Sequence, residues 1–144
     1  MTRFVYNLFV RFLMYVLPLW LGAFELTVHQ AMKEKDPDAF LAPGLMLGAI
    51  ALLIPLCLAA KAPDELTAAR QRFKYQCDIA LILLAATLAV AGMPIWHQIL
   101  GASLSGDPET LTVLVLLSWS SPKAFAMLYY FLAVSLTELK RLTS

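Results

Sequence analysis

The sequence has few charged residues and few cysteines. Only 15% of its 144 residues are charged, and 11 basic residues nearly balance 10 acidic ones, which gives a net charge of +1. Binding to DNA or RNA phosphates needs clustered, uncompensated basic residues, so this balance argues against a nucleic-acid partner. The two cysteines, Cys57 and Cys77, lack the Cys-x-x-Cys spacing of redox motifs. Thiol redox chemistry is therefore a poor candidate function.

The sequence also lacks the usual arrangements of catalytic and cofactor-binding residues. It has no glycine-rich phosphate loop, no residues at metal-ligand spacing, and no nucleophile accompanied by a base and an orienting group. We therefore expect a protein that is not an enzyme and that holds no cofactor and no metal. His29 and His97 could ligate one haem between two helices. We interpret both instead as ordinary residues of a membrane interface.

Apolar residues dominate the chain. They make up 60% of it, and the mean hydropathy is +0.73, whereas soluble domains contain roughly 45 to 50% apolar residues. The sequence predicts an all-α integral membrane four-helix bundle, with residues 1–144 forming a single transmembrane domain. The four apolar segments predict helices at about 4–31, 41–60, 64–100 and 108–139.

The basic residues are distributed unequally between the two sides of this four-span topology. Because Lys and Arg are enriched in cytoplasmic loops, the side with more of them is expected to be cytoplasmic, and it carries both termini. We therefore expect a multi-pass protein of a bacterial inner membrane, whose first apolar segment is retained as a helix. The outer side holds Lys33 and Lys35, and the cytoplasmic side holds Arg3, Arg11, Lys61, Arg70, Arg72, Lys74, Lys140 and Arg141.

A polar stretch at residues 118–123 interrupts the last apolar segment. It ends in Lys123, which the sequence places near the middle of the bilayer, where a charge is costly and indicates a functional site. Glu25 in the first segment is expected at a similar depth. A Glu25–Lys123 pair would keep both groups charged in a low-dielectric environment.

Further polar residues extend this predicted intramembrane site. His29 lies one helical turn beyond Glu25 on the same face, and the stretch before Lys123 contains Ser120 and Ser121. Two interpretations remain open at this point. The residues form a proton or small-solute site, or the charge pair joins helices within the bundle or to a partner chain.

Small residues predict close contacts between helices. Gly44 and Gly48 have the small-xxx-small spacing that brings membrane helices together, and Ala85 and Ala89 offer a second such face. Asp78 follows Lys74 by four residues, which predicts an ion pair within one helix.

Three functions fit these features. The leading hypothesis is a small inner-membrane accessory or assembly subunit that packs against other membrane helices of a larger complex. The second is a small homo-oligomeric secondary transporter that uses Glu25, Lys123 and His29. The third is a membrane immunity or regulatory protein. The expected partners are the lipid bilayer and either other membrane subunits or further copies of this chain.

Overall fold

The structure, a computed structural model, describes residues 2–32, 40–58, 69–105 and 121–143. This part of the chain is almost entirely helical, which confirms the all-α class. Two helices contain apolar stretches long enough to cross a membrane, Phe4–Val28 and Gln71–Leu104. The helices are α1 (Thr2–Ala31), α2 (Leu41–Leu53), α3 (Ala69–Ser105) and α4 (Pro122–Thr143), and a 3-10 turn (Ile54–Cys57) extends α2.

Helices α2 and α4 form the centre of the bundle, and α1 and α3 pack against them. Gly48 of α2 faces both Pro18 of α1 and Tyr130 of α4, and Gly92 of α3 lies against Tyr129 of α4. Consecutive helices run in opposite directions, so α2 and α4 are parallel to each other. The largest fully buried side chains are Tyr130, Met46, Ile50, Leu53 and Ile99.

A proline ends α2 earlier than the sequence predicts. Pro55 has no amide hydrogen and cannot donate to the carbonyl of Ala51, so the helix tightens into the 3-10 turn. The backbone then becomes extended at Leu58, with ψ of 122°. This segment therefore ends at Cys57 and not near residue 60.

A second proline begins α4. Pro122 is its first residue, and the Ser121 side chain accepts a hydrogen bond from the amide of Ala124 at 3.5 Å. Serine followed by proline is typical of a helix start, because the proline occupies a position whose amide has no partner in the helix. The predicted helix at 108–139 is thus observed over Pro122–Thr143, and residues 106–120 lie outside the described part.

Helix α3 continues past its predicted end at residue 100. Gly101 does not terminate it, since a single glycine only weakens a helix. The hydroxyl of Ser103 donates to the carbonyl of Ile99 at 2.9 Å, which keeps this side chain within the last helical turn. The predicted start near residue 64 lies outside the described residues.

Candidate functional site

Glu138, near the end of α4, joins α1 to α4. Its Oε1 accepts a hydrogen bond of 2.6 Å from the hydroxyl of Tyr15, and its Oε2 lies 3.5 Å from Nη2 of Arg11. On its own helix, Nη1 of Arg141 lies 3.5 Å from Oε1. One carboxylate thus holds two guanidinium groups and one phenol. We call Arg11, Tyr15, Glu138 and Arg141 the Glu138 cluster.

Two contacts near Pro18 hold α1 to the central helices. The proline has no amide hydrogen, so the carbonyl of Met14 loses its usual helical partner. The hydroxyl of Tyr130 donates to the neighbouring carbonyl, that of Tyr15, at 2.6 Å. The proline ring itself packs on Gly48. Helix α1 is therefore held to both central helices around residues 15–18.

Lys140, two residues after Glu138, joins the ends of α2 and α4 to helix α3. Its ammonium donates to the carbonyls of Leu56 at 2.9 Å and Leu58 at 3.2 Å, where α2 and its 3-10 turn end. The same nitrogen lies 3.3 Å from Oδ1 of Asp78 on α3. A cation is favourable beside the last carbonyls of a helix, because they carry the negative end of the helix dipole.

The expected pair between Lys74 and Asp78 is wrong. Asp78 points into the bundle, and the side chains of Lys140 and Asp78 are only 13% and 8% exposed, whereas Lys74 is exposed. The buried oxygen of Asp78 receives no hydrogen bond of good geometry from the described residues. The contact between Lys140 and Asp78 is therefore an ion pair with little access to solvent. The spacing of four residues between Lys74 and Asp78 gave no indication of it.

The Glu138 cluster and the Lys140–Asp78 pair lie at the same end of the bundle. This end holds the beginnings of α1 and α3 and the ends of α2 and α4. We call it the basic end, and the other the opposite end. Chemically, the basic end can hold the helices together and can present the partly exposed guanidinium groups of Arg11 and Arg141 to a ligand.

Glu25 and Lys123 lie at the same level of the bundle. Counted from the Arg11–Glu138 contact, Glu25 is about four turns along α1 and Lys123 about four turns back along α4. Both side chains are exposed. Pairing between them stays a prediction.

Lys123 lies at the start of a described helix, and its expected midplane position stays a prediction. It is the second residue of α4 because Ser121 and Pro122 begin a helix there. Ser121 accordingly caps the helix start. Two other predicted members of this site, Ser120 and the side chain of His29, lie outside the described residues.

The residues predicted to give close helix contacts differ in their surroundings. A Cβ at Gly48 would lie 3.3 Å from Cβ of Pro18 and 3.6 Å from the Tyr130 ring. Ala85 is fully buried, and Ala89 packs against the core. Gly44 is exposed, and a Cβ there would meet nothing within 4 Å. Within the described part of this chain, Gly44 therefore makes no close helix contact, because the contact face of α2 is turned away from it.

No metal centre forms among the described residues, where no three His, Cys, Asp or Glu side chains come together. His97 is exposed, and a haem shared with His29 stays a hypothesis. Comparison of the chain with protein-family models, with curated proteins and with solved structures finds no match.

Proposed function

We propose that this chain is a small multi-pass membrane protein that serves as an accessory or assembly subunit of a larger membrane complex. The observation that carries the proposal is the exposure of α1. None of the residues in its most apolar window is buried within the chain (0%). A helix of a self-contained bundle usually buries one stripe of its surface. Helix α1 only half-buries such a stripe, which includes Met14, Tyr15 and Leu19, and offers most of its apolar surface to lipid or to other helices.

The outward face of α1 has the geometry of a helix-docking surface. Leu13, Val16, Leu17 and Trp20 have the spacing i, i+3, i+4 and i+7, and with Phe12 they line an apolar depression of about 220 Å³. Four residues at this spacing form the hole that receives one side chain of a partner helix. This supports a neighbouring membrane helix at this position.

The lengths of the helices support four membrane crossings. Helix α2 with its 3-10 turn spans about 28 Å, close to the roughly 30 Å of a bilayer core. The 22 residues of α4 span about 33 Å with its charged ends included. In this proposal the basic end faces the cytoplasm of a bacterial inner membrane, as the distribution of Lys and Arg favours.

Photo-crosslinking in intact membranes tests the subunit hypothesis. A photoreactive phenylalanine derivative would replace Leu17 on the outward face of α1, with Val90, an exposed residue of α3, as the matched control. We expect a crosslinked product with a different polypeptide from position 17 and a much weaker one from position 90. Crosslinks to lipid alone at both positions would contradict the proposal.

A second candidate is the homo-oligomeric transporter. The specific observation in its favour is that Glu25 and Lys123 occupy the same level and are both exposed, where side chains of a second copy could complete a polar site. A product of twice the mass of the chain from position 17, with no foreign polypeptide, would favour this candidate over the subunit.

A further inference from the structure

We propose that the Glu138 cluster binds the phosphate headgroup of an anionic phospholipid through Arg11 and Arg141. The inference rests on the part of the proposed function that places the chain in a membrane. It does not require a partner protein. It adds a ligand site on this chain itself.

The two arginines retain donors that the described part of the chain does not use. A guanidinium has five N–H groups, and Arg11 and Arg141 each bring one nitrogen within 3.5 Å of Glu138. Nη2 of Arg141 also approaches the sulfur of Met14 at 4.0 Å, but a thioether is a weak acceptor. The two side chains are 46% and 35% exposed. Further N–H groups on both sides of one carboxylate are therefore accessible to an oxyanion.

The charges at the basic end favour an anion. The cluster contains two guanidinium groups and one carboxylate, so it has an excess of one positive charge. The nearby ammonium of Lys140 does not change this balance, because Asp78 lies beside it. A phosphodiester carries one negative charge and can accept paired N–H groups from a guanidinium. Its binding would neutralise the cluster.

The surroundings of the cluster favour a lipid over a phosphate ion in solution. On the bilayer side of the arginines, Leu13 of α1 and Leu139 of α4 are exposed large apolar side chains. Acyl chains attached to the phosphate would pack on such apolar surface, whereas an isolated ion would make no contact with it. The geometry therefore combines a headgroup site with a place for the tails.

Lipid binding to the purified full-length chain tests the inference. Native mass spectrometry in detergent would measure the affinity for phosphatidylglycerol, which is anionic, and for phosphatidylcholine, which has no net charge. We expect a preference for phosphatidylglycerol that falls about fivefold for each arginine replaced, in Arg11→Gln and Arg141→Gln. Lys74→Gln removes an exposed positive charge from α3 near the same end and should change the affinity less than twofold.

We expect Glu138→Gln to raise the affinity for phosphatidylglycerol, whereas the arginine variants lower it. Glu138 competes with the lipid phosphate for both guanidinium groups, so its neutralisation should tighten phosphatidylglycerol binding, while the amide oxygen of the glutamine still accepts from Tyr15. A purely structural cluster predicts no gain in lipid affinity. This variant keeps both arginines, so it remains informative if the double arginine variant, which combines Arg11→Gln with Arg141→Gln, fails to fold.

Three results would overturn the inference. They are unchanged phosphatidylglycerol binding in the double arginine variant, weaker binding in Glu138→Gln, and full competition by millimolar inorganic phosphate, which would indicate a simple anion site. Membrane fractionation of the same cells separates this failure from failure of the proposed function. A chain that stays in the membrane but shows no lipid preference refutes only the headgroup site.

Discussion

The ammonium of Lys140 lies 3.3 Å from the carboxylate of Asp78 and also donates to two carbonyls at the end of α2. One side chain of α4 thus holds α2 and α3 at the basic end. Removal of one partner leaves an uncompensated buried charge, which costs far more than loss of an exposed ion pair.

We predict that Lys140→Met destabilises the protein more than Asp78→Asn does. The first change strands the Asp78 charge and leaves the carbonyls of Leu56 and Leu58 without their donor, at a cost of about 3 to 5 kcal/mol. The second leaves Lys140 bound to both carbonyls and should cost about 1 to 3 kcal/mol. Unfolding in detergent measures both, with Lys74→Met as the exposed control. Equal losses in all three variants would refute the anchoring role.

Substitution by Leu should change the unfolding free energy differently at the two glycines of α2, Gly44 and Gly48. Gly48→Leu forces bulk against Pro18 and Tyr130 and should cost roughly 1 to 3 kcal/mol or more. Gly44→Leu has open space within this chain and should change the unfolding free energy by less than about 0.5 kcal/mol. If Gly44→Leu leaves the fold stable but reduces co-purification of a partner, that face of α2 belongs to an interface between chains.

Gly92 makes room for a tyrosine. The phenol of Tyr129 donates to the carbonyl of Leu88 and occupies the space where a Cβ at Gly92 would stand. We expect Gly92→Ala to cost about 1 to 3 kcal/mol in thermal unfolding. Gly101→Ala, on the same helix with open space around it, should be neutral or stabilising by up to about 1 kcal/mol. If both variants lost similar unfolding free energy, the contact of Gly92 with Tyr129 would not be the cause of the loss at Gly92.

The sequence could predict the helical class and the approximate positions of the helices in the described residues, because long apolar runs bounded by Pro and polar loops carry that information. It could not predict the partner of Asp78. The i, i+4 spacing from Lys74 indicated a local pair, whereas Lys140 reaches Asp78 from another helix that is distant in sequence. The packing of α3 on α4 buries Asp78, and this burial favours the pair with Lys140 over a pair with the exposed Lys74.

The Glu138 cluster was missed for a similar reason. In the sequence, Arg11 and Arg141 count toward membrane topology, and Tyr15 looks like one more aromatic residue in an apolar helix. Their meeting depends on the antiparallel register of α1 and α4. The available signal was a glutamate near the end of an apolar helix with Arg141 three residues later, a spacing that places both on one face.

The hydroxyl of Tyr130 should contribute measurably to the α1–α4 contact. Tyr130→Phe removes the hydrogen bond to the carbonyl of Tyr15 and should lower the unfolding free energy by about 0.5 to 1.5 kcal/mol. Tyr6→Phe, at an exposed site of α1, is the matched control and should have no effect. If thermal unfolding does not distinguish the two variants, the backbone of α1 at Pro18 is held by packing on Gly48 instead.

Cysteine accessibility in intact cells tests the central claim, that the chain crosses the membrane with its basic end in the cytoplasm. In a background with Cys57→Ser and Cys77→Ser, single cysteines would replace Leu104 at the end of α3 and Leu142 at the end of α4, two exposed residues at opposite ends of the bundle. A membrane-impermeant maleimide added from outside should label position 104 at once and position 142 only after permeabilisation. Labelling of 142 but not 104 in intact cells, or equal labelling of both, would contradict the claim.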